Sequence, residues 1–443
     1  MSPQIIYPTE PLKRDPMPKK GEPWNPPTTS LWFAHDPALF RDPVSGDYFV
    51  YCTEGKARRS KDMITWEKLG KVVECPPEAK EWTNSEAIWA PDIVKVGEEY
   101  RLYCSNSSWG VRQSCIFLAV ADKPEGPFTS RGIVFRSSDN IPVNGIDAGL
   151  ITDHNTGQMY MVYGSFWGGC HIIELDPTTG LALNGPDDFG KCLARRPLWA
   201  DGAIEGPYIV YNKDTDYYYL FVSYASLKSD YNIRVGRSKC VTGPYLDHNG
   251  RDMTDLNDVD NTLGYMICCG YKFDDDETGW MGPGHNSVLQ DFDGQWYLCS
   301  HIRPKNFKEG APSTMHIRKM LWTTDGWPVA SPEEYAGEYQ QPVTTEQLVG
   351  KYERIRLQPM VPQGTLTSVR MSLFDNGHGM LADSIRFDWE QIDGTTIRIT
   401  YAATTEELKV MPAWDYEAWK PTLILTGTDD KHICIWGKKY SAT

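Results

Sequence analysis

One short plan recurs five times along this chain, and it constrains the fold more than any other feature. Each copy is an apolar strand headed by a polar residue, then a turn, then a strand rich in Tyr or Trp. The copies are His35-Asp36-Pro37-Ala38-Leu39-Phe40 before Tyr48-Phe49-Val50-Tyr51, Ala90-Pro91-Asp92-Ile93-Val94 before Tyr100-Arg101-Leu102-Tyr103, and Ile146-Asp147-Ala148-Gly149-Leu150-Ile151 before Tyr160-Met161-Val162-Tyr163. Glu205-Gly206-Pro207-Tyr208-Ile209-Val210 before Tyr218-Tyr219-Leu220-Phe221, and His285-Asn286-Ser287-Val288-Leu289 before Trp296-Tyr297-Leu298, complete the set. Turn residues such as Ser45-Gly46-Asp47 and Asp293-Gly294 join each pair as hairpins do. Third strands are expected at residues 114–120, 170–175, 232–236 and 315–319. The heads Asp36, Asp92, Asp147, Glu205 and His285 are 56, 55, 58 and 80 positions apart.

Units of about 40 to 50 residues with four antiparallel strands are the size of propeller blades. The expected fold is therefore all-β. A five-bladed β-propeller spans residues 30–342 after an N-terminal extension of residues 1–29, and a small C-terminal β-barrel or sandwich spans residues 343–443. Two β-sandwiches in tandem would also use short strands, but would not need one motif five times. The long last interval implies an insertion, placed near residues 247–281, where acidic and small residues cluster. Beyond Gln340-Gln341-Pro342 the strands alternate without a sixth copy of the motif. Helix starts are expected only at Thr345-Glu346-Gln347-Leu348 and Thr404-Thr405-Glu406-Glu407.

A net charge of −15, from 59 acidic and 44 basic residues, repels phosphate backbones, so nucleic acid is not an expected partner and a neutral substrate is. No run approaches the roughly 18 apolar residues that cross a bilayer, so no membrane partner is expected. The first residues lack the order of a secretory signal, which suggests a cytoplasmic chain as written, or a secreted one whose signal has been removed. The 11 cysteines form no CxxC pair and no zinc-spaced cluster. They are expected to be buried thiols in a reducing compartment, with the vicinal Cys268-Cys269 read the same way. Oligomeric state is not legible.

The innermost strand of each blade lines the channel, so the five heads converge although they are distant in sequence. Carboxylates gathered at such a place push one another's pKa up and allow one acid to stay protonated while another is ionised. Glycosidic hydrolysis needs that division: an acid for the leaving oxygen and a base for water. No GxxxxGK[ST] phosphate cradle and no GxSxG elbow is present.

The set His35-Asp36-Pro37, Trp89-Ala90-Pro91-Asp92, Asn144-Gly145-Ile146-Asp147, Glu205-Gly206-Pro207-Tyr208 and Gly282-Pro283-Gly284-His285-Asn286-Ser287 resembles glycoside hydrolase family 43. The stretches Gly164-Ser165-Phe166-Trp167-Gly168-Gly169 and Trp322-Thr323-Thr324-Asp325-Gly326-Trp327-Pro328 are similar to its arabinanase branch, and the tail to the C-terminal barrel of two-domain members. The resemblance implies an inverting hydrolase acting on α-1,5-linked L-arabinan or arabino-oligosaccharides. It casts Asp36 as general base, Glu205 as general acid, and Asp147 as the residue that positions and tunes the acid. It places a largely hydrated calcium ion beside His285. Trp89, Phe166 and Trp167 become candidate stacking platforms for a furanose ring, and Asn144 and Ser165 candidate partners for its hydroxyls. Gly145 and Ala148 depart from the Ala and Pro common in the family. Asp42 is a rival for the base, and Asp92 a candidate member of the supporting network. Alternatives are an exo-acting α-L-arabinofuranosidase or β-xylosidase, and a non-catalytic glycan-binding propeller.

Overall fold

The computed structural model describes residues 4–13, 31–274, 279–305 and 313–441. Five sheets follow one another along the chain, the first four each an antiparallel meander of four strands and the fifth an antiparallel meander to which Leu366–Thr367 adds a parallel edge strand. Their inner strands are Ala38–Arg41, Ile88–Val96, Gly149–Thr152, Ile204–Asn212 and Trp280–Gln290, and their second strands carry the Tyr-rich segments. Ring closure joins the fifth blade to the first. Leu39 N–H donates to Ser287 Oγ at 2.9 Å, Tyr48 O–H to Asp291 at 2.6 Å, and Arg41 pairs with the same Asp291.

The expected third strands are all present, and the insertion is found as the connection from residue 239 to residue 264, ahead of the fourth blade's last strand Tyr265–Cys268. Two of its acidic residues are drawn into the protein. Asp247 and Asp258 are buried, and both grip Arg251 while accepting backbone N–H groups of the same loop. Part of the acidic run at residues 274–277 lies outside the described residues.

The C-terminal strands close an eight-stranded antiparallel barrel filled by Leu348, Tyr352, Phe387, Trp389, Leu408, Leu425 and Ile435. Thr345–Leu348 is helical, with Thr344 and Gln347 forming a capping box. The second expected helix start is a strand instead, Thr404–Asp415. Its burial alternates from Glu406 to Val410, the period of a strand, and Glu406 points inward to Arg354. The helix Pro77–Thr83 was not anticipated, since Pro76 caps it without a side-chain hydrogen bond.

Barrel and propeller share one apolar core. Ile355, Leu357, Cys434 and Trp436 of the barrel pack with Tyr271, Phe273, Met320 and Trp327 at the fifth blade. All cysteines are free thiols, and all but Cys75, Cys192 and Cys240 are buried. Cys268 and Cys269 lie in this core, where burial raises both thiols' pKa and keeps them unreactive.

Candidate active site

Three inner strands carry a β-bulge where the chain meets the channel: between Ile88 and Pro91, between Glu205 and Tyr208, and on either side of Gly284. A bulge re-aims side chains and locally breaks the alternation of faces. Asp36, Asp147 and His285 adopt left-handed φ values of 52°, 66° and 45°, and Gly206 beside Glu205 has 57°. Non-glycine residues rarely hold that conformation, and where they do it clusters at working sites.

The backbone N–H of each strained residue is received by the blade before it. Asp147 donates to Ser105 Oγ at 2.8 Å, His285 to Ser223 Oγ at 2.7 Å, and Asp36 to His301 Nδ1 at 3.3 Å across the ring closure. Asp147 in turn accepts Gly206 N–H at 3.2 Å. Asp36, Asp147, Glu205 and His285 thus meet around one axis.

Asp92 does not join them. It lies past the bulge, opposite Tyr103, and accepts Leu150 N–H at 2.7 Å. The place equivalent to Glu205 is held by Trp89, three residues earlier. Aligning Ala90-Pro91 with Gly206-Pro207 would have revealed the offset. Buried without a cation, Asp92 has its pKa pushed up to about 7 by desolvation. Asp42 is also elsewhere: it accepts Val44 and Ser45 N–H and Tyr100 O–H, and so ties a turn to the neighbouring blade.

The electrostatics separate the two principal carboxyls. Burial pushes Asp36 up, but His285, His35 and His301 outweigh it and hold the group well below the ordinary carboxylate range. Asp36 Oδ1 lies 3.3 Å from His285 Nδ1, 3.4 Å from His301 Nδ1 and 3.5 Å from His35 Nε2, and Thr53 O–H donates to Oδ2 at 2.5 Å. Glu205 goes the other way. Burial raises its pKa, only partly opposed by O–H donors from Tyr231 and Ser165, each at 2.8 Å, and by His285. Burial also raises Asp147, with His285 opposing and Glu205 and Asp36 reinforcing. Among the described residues Asp36 and Glu205 share no hydrogen-bond partner. The glycines of the His285 motif have a local reason: a Cβ on Gly284 would lie 2.1 Å from the Tyr231 ring that reaches Glu205.

Above this ring opens a cleft of about 690 Å³ that reaches Glu205 and is lined by Trp89, Asn144, Ser165, Phe166 and Trp167, the five residues the sequence offered as candidate sugar contacts. Asn144, one of the lining residues, has its Oδ1 buried with no partner among the described residues. Trp109 and Trp199, 74% and 56% exposed, also line it and were missed. Trp109 had a signal: Ser107-Ser108-Trp109-Gly110 ends the second strand of its blade as Ser165-Phe166-Trp167-Gly168 ends that of the next. Tyr231, His301 and Thr53 had none, because none of them falls on a residue type that repeats from blade to blade.

A calcium ion beside His285 would find few protein oxygens. The nearest carboxylate is Asp36, already committed to three imidazoles and Thr53, and calcium takes about six to eight oxygen ligands. The donor set His35, Asp36 and His301 is imidazole-rich and does not form a calcium cage. A second cluster, Glu333, Asp415 and Glu417, is filled by the Lys438 ammonium.

Residues 23–328 match the family model described as Glycosyl hydrolases family 43, and residues 332–437 match one described as a C-terminal lipocalin-like domain. An extracellular endo-α-(1→5)-L-arabinanase of Thermotoga petrophila is 30% identical over 93% of this chain and 94% of its own length. The extracellular endo-α-(1→5)-L-arabinanase 2 of Bacillus subtilis is 30% identical over 91% and 92%. A crystal structure of the Thermotoga petrophila endo-1,5-α-L-arabinanase with Tris superposes with a TM-score of 0.83 at 28% identity, covering 94% of this chain and all of that one.

Proposed function

The chain belongs to glycosyl hydrolases family 43 and is an inverting glycoside hydrolase, and from that premise we propose that it cuts α-1,5-linked L-arabinan and arabino-oligosaccharides within the chain. Asp36 acts as the base and Glu205 as the acid. The observation that carries this assignment is their opposite electrostatic setting around one axis: Asp36 is held ionised and Glu205 is pushed toward its protonated form.

The glycosidic oxygen lies over Glu205, which passes its proton to the leaving sugar as the bond to the anomeric carbon breaks. Asp36 takes a proton from the water that attacks that carbon from the opposite face, so the product is inverted. Asp147 holds the Gly206 N–H and so fixes the backbone next to the acid. Trp89, Phe166 and Trp167 stack on sugar faces, while Ser165 and Asn144 take hydroxyls. Trp109 and Trp199 extend the aromatic surface beyond a single sugar, which favours internal cleavage over removal of a terminal residue.

We propose a largely hydrated calcium ion beside His285, as the resemblance to family 43 implies. Its oxygens would come chiefly from water. Adding calcium after EDTA should raise the thermal midpoint, and an unmoved midpoint rejects the ion. We propose an extracellular place of action, the secreted alternative, which agrees with what the names of the two relatives say of those proteins and which buried thiols tolerate.

The test is hydrolysis of debranched arabinan. Wild type should release oligomers whose new reducing ends first appear with inverted configuration by NMR. Glu205→Gln should lose about 100- to 10,000-fold in rate. Unchanged activity in that variant removes Glu205 from its role, and release of arabinose alone favours exo action.

A further inference from the structure

The wall of the cleft is not built by the propeller alone. Val361 and Gln363, from the barrel segment that joins strand Gly350–Arg356 to strand Val369–Leu373, line the same cleft as Glu205 and Trp89. We propose that the C-terminal barrel supplies part of the arabinan-binding surface, with the Gln363 carboxamide hydrogen-bonding the hydroxyls of sugars remote from the cleaved bond and Val361 packing against a furanose face. This deepens the substrate reading above and rests on it.

The segment is held at both ends, so its position over the cleft is fixed by the fold. At one end Leu357 N–H donates to Cys434 O at 2.9 Å, within the barrel. At the other, Leu366–Thr367 adds a parallel strand to the fifth blade, paired with Tyr271–Lys272. Leu366 N–H donates to Gly270 O at 2.9 Å, Ser368 N–H to Lys272 O at 3.0 Å, and Lys305 Nζ to Thr365 Oγ1 at 3.1 Å. The contact is close enough to need a glycine: a Cβ on Gly270 would lie 2.9 Å from Gly364 O.

Chemistry suits the two residues to a sugar chain. Val361 is 8% exposed and packs at the wall, while Gln363 is exposed on it and carries both a donor and two acceptor lone pairs for neutral hydroxyls. Because they come from the second domain, they bear on substrates long enough to reach them. Chain-length preference is therefore the property they set.

The experiment uses the full-length enzyme and measures kcat/KM on arabino-oligosaccharides from two to eight sugars, for wild type, Gln363→Ala and Gln363→Glu. One lost neutral hydrogen bond predicts about a fivefold fall for Gln363→Ala on the longest substrates, expressed in KM, with no fall on the disaccharide. Gln363→Glu, which keeps the acceptors and the shape, should recover part of it. The melting temperature of both variants should match wild type, since the residue is exposed. A loss equal at all lengths, or no loss at any, overturns the proposal. Titration of arabinohexaose into Glu205→Gln with and without Gln363→Ala gives a second reading, with about a fivefold weaker Kd expected. A wild-type enzyme that neither cuts nor binds arabinan overturns the substrate reading as well, whereas normal cleavage with Gln363→Ala indistinguishable from it overturns only the barrel's share.

Discussion

Glu205 must be protonated when the leaving oxygen needs its proton, and its pKa is the balance of burial, which raises it, against two O–H donors that favour the carboxylate. Tyr231→Phe removes one donor. The acid's pKa then rises, the protonated form survives to higher pH, and the alkaline limb of the kcat/KM profile moves upward while the acid limb, set by Asp36, stays in place. A limb that does not move, measured on debranched arabinan, argues that Glu205 is not the titrating acid. Much of this chemistry was legible beforehand, because Asp36, Asp147, Glu205 and His285 repeat at blade heads. Their left-handed backbone was not legible, since Asp and His carry no mark of it. Nor were Tyr231 and His301, whose partners are chosen by proximity in the closed ring.

Individual blades owe their aim at the axis to a hydroxyl on the neighbouring sheet. Ser223, fully buried on a second strand, accepts the His285 N–H at 2.7 Å, and Ser105 does the same for Asp147. Ser223→Ala leaves that N–H without a partner in a dry place, at a cost of about 1 to 3 kcal/mol in urea unfolding. The same variant should lose activity beyond what its stability explains, because His285 no longer has a fixed backbone. Equal stability and activity to wild type would mean that the channel holds its geometry without this bond. At this scale the sequence is a good guide to strands and a poor one to their offsets. The bulge between Ile88 and Pro91 shifts Trp89 into the place expected for Asp92, and in Thr404–Asp415 alternating burial overrides a helix-like start.

The joining of propeller to barrel turns on a buried charge cluster. Lys438, from the last barrel strand, has no exposure and sits 3.0 Å from Asp415, 2.8 Å from Glu417 and 3.2 Å from Glu333, the last lying between the fifth blade and the barrel. Three carboxyls gathered around one ammonium in a dry site repel one another. Burial, with Glu417 and Asp415 adding to it, raises Glu333 well above its ordinary range, while the same carboxylates keep Lys438 charged despite its own burial. Beside the Lys438 ammonium, burial thus favours the neutral form of Glu333. Two substitutions separate this from a simple ion-pair picture. Glu333→Gln reproduces the protonated acid in shape and charge and should leave stability within about 1 kcal/mol of wild type. Lys438→Met strands the carboxyls around it and should cost about 3 to 5 kcal/mol in denaturant unfolding. Since the barrel also presents Val361 and Gln363 to the cleft, Lys438→Met should lower activity on long arabinan more than on the disaccharide at temperatures where the fold persists. Should Glu333→Gln prove as damaging as Lys438→Met, Glu333 is ionised in the folded protein and burial does not hold it neutral.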